Sequence, residues 1–503
     1  MHQQLETGLD FSDKELSWAV HETDPHFPCY HLRTREDAVN DPCGAIWWGG
    51  EYHLFYQWNA RWVHAASSDL VHWRHFPPAL VPTPGSCDEG GCWSGSAGEV
   101  DGRPVILYTG VDFPPPDQPR EWRQIVCMAT GSDDLVNWTK FPGNPVIGDP
   151  PPDLHVTGFR DPCFWKDGDT WCMLIGGGIS DQGATAFLYR STDFRSWEYV
   201  HPFGSDSPDV TNKYWECPDF FALGDRHVLL TSKMSPQLWN GSTDSCRTLM
   251  STFYSVGTYS NQQFHVESHG NTDAGGHFYA AKTLLDGKGR RLLWGWVWEA
   301  RRTEVWREAG WSGAISLPRV LTLGHNGALR YDPPEELQAL RDEHWEFEDI
   351  TLQEADPAPL DALAGDCLEL VAEFKPAGAD QCGLTLRRSK DGSEQTRLVW
   401  RASEATLTVD RSQSSLDPEP FKFPRSGRVE LAADENLRLH VFLDRSVLEV
   451  FVNGQLCLTS RIYPTRDDSL GVAVFAKGGR ALLQRLDAWS LLKALPVGDP
   501  GDA

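Results

Sequence analysis

Three acids stand in matching surroundings in the first half of the chain: Asp41 in NDPCG, Asp161 in RDPCF and Glu216 in ECPDF. Each is followed within two residues by proline, and each opens an apolar run. A single Asp-Pro is an ordinary turn starter, because Asp bonds its own backbone and Pro presets φ. Three carboxyls at equivalent places can do chemistry if the fold gathers them. One attacks an anomeric carbon, a second protonates the leaving oxygen, and a third holds sugar hydroxyls as positive charge develops. The acid must stay protonated near working pH, which burial and a neighbouring carboxylate enforce. Clustering like charges costs stability, so a fold that does it uses them.

The elements that would gather them are repeated hairpins. DPCGAIWWGGEYHLFY starts at Asp41, WSGSAGEVDGRPVILYTG at Trp93, DPCFWKDGDTWCMLIGGG at Asp161, ECPDFFALGDRHVLLTSK at Glu216, and DAGGHFYAAKTLLDGKGRRLLWGW at Asp273. Each joins two apolar runs through a glycine-bearing turn, a hairpin signal. A second motif, D-[L/F]-x-x-W, recurs at Asp69–Trp73, Asp134–Trp138 and Asp193–Trp197, each after a β-rich stretch. The hairpin starts are 52, 68, 55 and 57 residues apart, about one four-stranded blade each, with no helix for a βαβ crossover. This predicts a five-bladed β-propeller, in which the starts of the innermost strands converge on one axis. Asp41, Asp161 and Glu216 would then meet in one funnel.

From Tyr331 the stretch YDPPEELQALRDEHWEFED reads as a polar helical linker. Beyond it, DCLELVAEF, CGLTLRR, TRLVWRA, ATLTVDRS and RVELAA alternate at period two, and LRLHVFLDRSVLEVFVNGQLCLTSRIYP turns at Asn453-Gly454. These strands predict a β-sandwich with a structural role. The expected class is all-β: a propeller over 25–330, a linker over 331–345 and a sandwich over 346–495.

Composition agrees with two globular domains in 503 residues. The net charge of −26 repels phosphate backbones and anionic lipid, so neither nucleic acid nor a membrane surface is an expected partner. No apolar run reaches the ~20 residues that span a bilayer. No signal peptide is visible at the start, which fits a cytoplasmic protein or a secreted one expressed without its signal. Sequons stand at Asn137 and Asn240. The 12 cysteines form no CxxC pair, which argues against a zinc ribbon, and Cys87 and Cys92 could bridge a tight loop. Cys43, Cys163 and Cys217 beside the three acids read as small buried groups rather than redox centres.

NDP, FYQ (Phe55 to Gln57), WSGS, FRDP, WECPDFF, FYAAKTLLD…RRLLWGW and LHVFLDRSVLEVFVNG, in this order, resemble glycoside hydrolase family 32 over about residues 25–490. That family holds invertases, fructan hydrolases and fructosyltransferases. The resemblance implies cleavage of terminal β-fructofuranosyl bonds of sucrose and short fructo-oligosaccharides, with no metal or cofactor and a small sugar as partner. It makes Asp41 the nucleophile, Glu216 the general acid and base, and Asp161 the stabiliser of the transition state. Asn40, Gln57, Trp93, Ser94 and Arg160 match its fructose subsite, and Trp62, Tyr279 and Trp311 match it more loosely. Cys43 stands where the family has Asn, and WVHA at Trp62–Ala65 replaces its WGHA after a short loop, near where an acceptor would bind. A fructosyltransferase, an exo-acting inulinase or levanase, an arabinan-directed glycosidase and an inactive fructan-binding propeller are the alternatives.

Overall fold

The computed structural model describes residues 24–34, 37–113, 122–204, 214–238, 248–354, 358–432 and 434–494. The sequon at Asn240 lies outside them. Five antiparallel sheets follow one another, each built on a four-strand path and each from consecutive chain, and their first strands are Pro42–Trp48, Gly91–Val100, Val156–Asp167, Glu216–Leu223 and Phe278–Leu285. These apolar strands turn back at Gly-bearing hairpins, as the period-two pattern requires. Each first strand packs against the first strands on either side, and Phe278–Leu285 closes on Pro42–Trp48. The ring is a β-propeller whose first strands surround the axis. Among the described residues no helix is long and apolar enough to cross a membrane.

The D-[L/F]-x-x-W motif joins the third and outer strands of the first three blades. Asp69, Asp134 and Asp193 each accept, on Oδ1, the backbone N–H two residues ahead, at 3.0, 3.1 and 2.9 Å. That bond supports a left-handed residue next to it, Leu70 (φ 66°), Leu135 (φ 58°) or Phe194 (φ 61°). These side chains are buried, which offsets the backbone strain. The indoles of Trp73 and Trp138 donate back to the carbonyls of Leu70 and Leu135. The repeat is thus a turn, not a site.

Two six-stranded sheets form the sandwich, enclosing a core that includes Leu370, Leu384, Leu398, Val441, Leu443 and Val474. The segment expected as a linker holds the end of strand Leu329–Asp332, a 3-10 helix Glu335–Leu340 and the start of strand Arg341–Leu352. Of RVELAA, Arg428 ends the strand Arg425–Arg428, residues 429–432 lie outside the ladder, and Val429 enters the core.

The sandwich grips the propeller through buried acids. Asp444 accepts the N–H groups of Cys29, Tyr30 and His31, at 2.5, 2.9 and 3.0 Å. Glu449 accepts from Leu317 N–H at 2.7 Å and from Arg319 at 2.8 Å, and meets His31 at 3.1 Å. Arg319 also donates to Asp273 at 3.0 Å. Asp273, the start of the fifth hairpin motif, therefore serves the domain interface.

Candidate active site

Every first strand loses register at the same level: Pro42/Gly44, Trp93/Gly95, Arg160/Cys163, Glu216/Asp219 and Tyr279/Lys282. Such bulges re-aim side chains, and proline, which cannot donate to a ladder, is tolerated at them. Pro162 and Pro218 sit inside two breaks and Pro42 borders a third. Asp161 (φ 64°), Cys217 (φ 47°) and Ala280 (φ 54°) take left-handed backbone there, strain of the sort that concentrates at functional sites. Gly95 of WSGS is forced by space, since a Cβ would lie 2.0 Å from the Leu107 carbonyl oxygen. One bulge per blade thus makes a ring of re-aimed residues around the axis.

The ring brings the three acids together. The Cys217 thiol lies 3.6 Å from Asp41 Oδ2 and 3.5 Å from Asp161 Oδ2, so these two carboxyl oxygens are within about 7 Å of each other. Cys217 N–H donates to Asp161 Oδ2 at 2.9 Å, and Ser94 Oγ donates to Asp41 Oδ2 at 2.8 Å. Arg160 donates to Glu216 Oε1 through Nε and Nη2 at 3.0 and 2.7 Å, and the Tyr279 hydroxyl donates to Glu216 Oε2. Thr109 ties the second blade to the third: its Oγ1 accepts Asp161 N–H at 2.7 Å and donates to the Ser94 carbonyl at 2.9 Å. Arg160 stacks on Tyr214 at 4.2 Å, and Trp93 meets Trp122 edge to face at 5.7 Å. Asn40, next to Asp41 in the chain, is exposed.

Other candidates lie one layer out. Gln57 is buried; its backbone brackets Asn40 and Asp41, and its Nε2 donates to the Cys92 carbonyl at 2.8 Å. Trp62 is wholly buried and its indole holds the Trp93 carbonyl at 2.9 Å, so it supports the wall and does not line the site. Trp311 is not brought to the acids either. Its indole donates to Asp24 at 2.7 Å, meets Phe27 edge to face, and lies under the guanidinium groups of Arg301 and Arg461.

Burial keeps the Cys43 and Cys217 thiols well above their ordinary range and Cys163 at about 12, so all three stay protonated. Cys217 is nevertheless more than a small buried group, because it bridges two of the acids. Cys87 does not face Cys92: it lies 3.9 Å from Cys127, while Cys92 turns to Asp88 at 3.5 Å. Among the described residues, Cys29, Cys367 and Asp444 form the one group with donors suited to a metal. It lies at the domain interface, and the Asp444 oxygens already accept three backbone N–H groups.

Burial, and then the charges of Asp161 and Glu216, push Asp41 up to about 7, against the pull of its bonds from Ser94 and Cys217. Near neutrality Asp41 is therefore in mid-titration. A raised carboxyl costs no stability below its ordinary 3.8 and progressively more until the pH passes about 7. Asp41→Asn should accordingly melt higher than the parent, by roughly a few degrees, with a gap that widens between about pH 4 and 7 and then levels. Thermal melts across that range check it; a gap independent of pH would contradict the shifted carboxyl.

The arrangement suits glycosyl transfer: a carboxylate held by a hydroxyl and a thiol, a second clamped by Arg and Tyr, and a third fixed by backbone. The comparisons agree. The sequence model of the "Glycosyl hydrolases family 32 N-terminal domain" matches residues 31–333, and that of the "Glycosyl hydrolases family 32 C terminal" matches residues 336–490. The chain is 34% identical to a sucrose-6-phosphate hydrolase of Zymomonas mobilis, over 95% of this chain and 94% of that protein. It is 32% identical to the β-fructofuranosidase insoluble isoenzyme 1 of Daucus carota, over 93% and 90%. The fructan 1-exohydrolase IIa of Cichorium intybus, solved with 1-kestose, superposes with a TM-score of 0.84 at 28% identity, covering 95% of this chain and 99% of that one.

Proposed function

Because the chain belongs to glycosyl hydrolase family 32, we propose that it is a β-fructofuranosidase that cleaves the terminal fructosyl bond of sucrose and short fructo-oligosaccharides with retention. The observation that carries this reading is the convergence of Asp41, Asp161 and Glu216 at the bulges of the first, third and fourth blades. An Asp41 oxygen bonds to C2 of fructose as the C2–O bond to glucose breaks. Glu216 gives a proton to the departing oxygen. Water then attacks C2, returns a proton to Glu216 and frees Asp41. Asp161, fixed by Cys217 N–H, holds fructose hydroxyls while C2 is positive. Arg160 and Tyr279 aim Glu216 at the leaving oxygen.

A site at the convergent end of a ring of strands accepts a chain terminus, so inulin should release fructose as its first product, not long oligosaccharides. Water is the expected acceptor, because the short loop before Trp62 adds no visible sugar-holding group. The test is the glucose-to-free-fructose ratio from millimolar sucrose. A ratio near one supports hydrolysis, and a ratio well above one makes the protein chiefly a fructosyltransferase. Sucrose 6-phosphate should be run alongside, because relatives of this chain carry that substrate in their names.

A further inference from the structure

Beyond the bulges, the first strands surround a second space, a cavity of about 380 Å³ on the far side of the ring from the acids. It is lined by the later halves of all five strands, and Lys282 stands at its boundary with the site. This lysine is 1% exposed. A buried ammonium is costly unless its surroundings compensate it, and an apolar side chain would fill the same space without that cost. Its Nζ donates to the Pro218 carbonyl at 2.8 Å, inside the bulge that follows Glu216 and presents Cys217 N–H to Asp161.

We propose that Lys282 is a positioning residue for the carboxylates: it pins the Cys217–Pro218 bulge from below and places a positive charge beneath Asp161, Glu216 and Asp41. Burial works against its own charge, but Asp219 and Asp161 outweigh it and keep the ammonium protonated. Burial and the charge of Glu216 hold Asp161 above its ordinary range, and Arg160, the Cys217 N–H and Lys282 offset part of that rise. The groups around this charge are Asp219, Cys217 and Glu216 from the fourth blade, Asp161 and Cys163 from the third, and Asp41 and Cys43 from the first. Arg291, on the neighbouring strand of its own blade, lines the same cavity but bonds Thr283. Arg160 grips Glu216 from the side, so Lys282 is the cation placed beneath the cluster.

This inference rests on reading the three acids as the fructosyl-transfer machinery. Its test is the pH profile of kcat/KM on sucrose for the parent, Lys282→Met and Lys282→Arg. Removing the charge raises the carboxylates, so in Lys282→Met the acidic limb should move up by about half a unit or more. Its kcat should fall about tenfold or more as the bulge loosens. Lys282→Arg keeps the charge and should keep the limb, even with a lower kcat. Lys282→Gln, neutral but able to bond Pro218, serves if Lys282→Met does not fold; it should move the limb while sparing more of kcat. A limb unmoved in the neutral variants, or moved equally in Lys282→Arg, overturns the proposal. If the parent itself releases no fructose, the underlying reading has failed instead, so the two failures are separable.

Discussion

Asp41→Ala and Glu216→Ala each lower kcat on sucrose by about 10³-fold or more, because each removes a group that makes or breaks a bond at C2. The two losses differ in kind. Without Asp41 there is no fructosyl-enzyme, so an added nucleophile can act only by attacking C2 of the substrate directly, in one inverting step. Without Glu216 the intermediate still forms when the leaving group needs no proton, and azide, a small anion that needs no general base, then takes the fructosyl group. With a β-fructofuranosyl donor of that kind, azide should therefore partly restore turnover in Glu216→Ala and give the β-azide, whereas any rescue of Asp41→Ala gives the α-azide. Steady-state rates with and without azide, and the anomer of the azide formed, decide the matter. Near-normal turnover in either variant removes that residue from its role, and a β-azide from Asp41→Ala with an α-azide from Glu216→Ala would interchange the two assignments.

Glu449→Ala lowers stability by about 3 kcal/mol, the scale expected when one partner of a buried ionic network is removed. Glu449 reaches from the sandwich into the fifth blade, and its loss leaves Leu317 N–H without this acceptor and Arg319 with Asp273 as its remaining acid. Burial favours the neutral form of this carboxyl, but bonds from His31 and Arg319 outweigh it and hold the group below its ordinary 4.5. A depressed carboxyl contributes stability above its unfolded pKa and loses it as pH falls through the folded one. The difference between parent and variant in denaturant melts should thus be full at pH 6 and shrink below about pH 4. A difference under about 1 kcal/mol at pH 6 would show that the network is not what joins the domains.

The propeller was legible because its signals are local: paired apolar runs, glycine turns and the D-[L/F]-x-x-W turn all lie within a few residues. The three acids were legible because proline marks the bulges at which two of them sit and borders the third. The bulges themselves were not, since register against a neighbouring strand is a tertiary property. Trp62 and Trp311 show the same limit. An aromatic near a motif reads alike whether it lines a site or props its wall, and both turn away. Thr109 and Lys282 were missed, and Cys217 was read only as a small buried group, because each is an ordinary strand residue whose importance comes from another blade. Arg341–Leu352 was read partly as linker because its solvent-facing acids mask the alternation of Trp345, Phe347 and Ile350 against the sandwich core.

The central claim is a covalent bond between fructose C2 and Asp41. The direct measurement is peptide mass spectrometry of Glu216→Ala quenched in acid after exposure to a β-fructofuranosyl donor whose leaving group needs no protonation. Without its general base this variant hydrolyses the intermediate slowly, so the adduct should accumulate. The account predicts one hexosyl group on the peptide containing Asp41, absent in Glu216→Ala combined with Asp41→Asn. A hexosyl group on a different peptide, or substrate consumed with no adduct at any quench time, would contradict it.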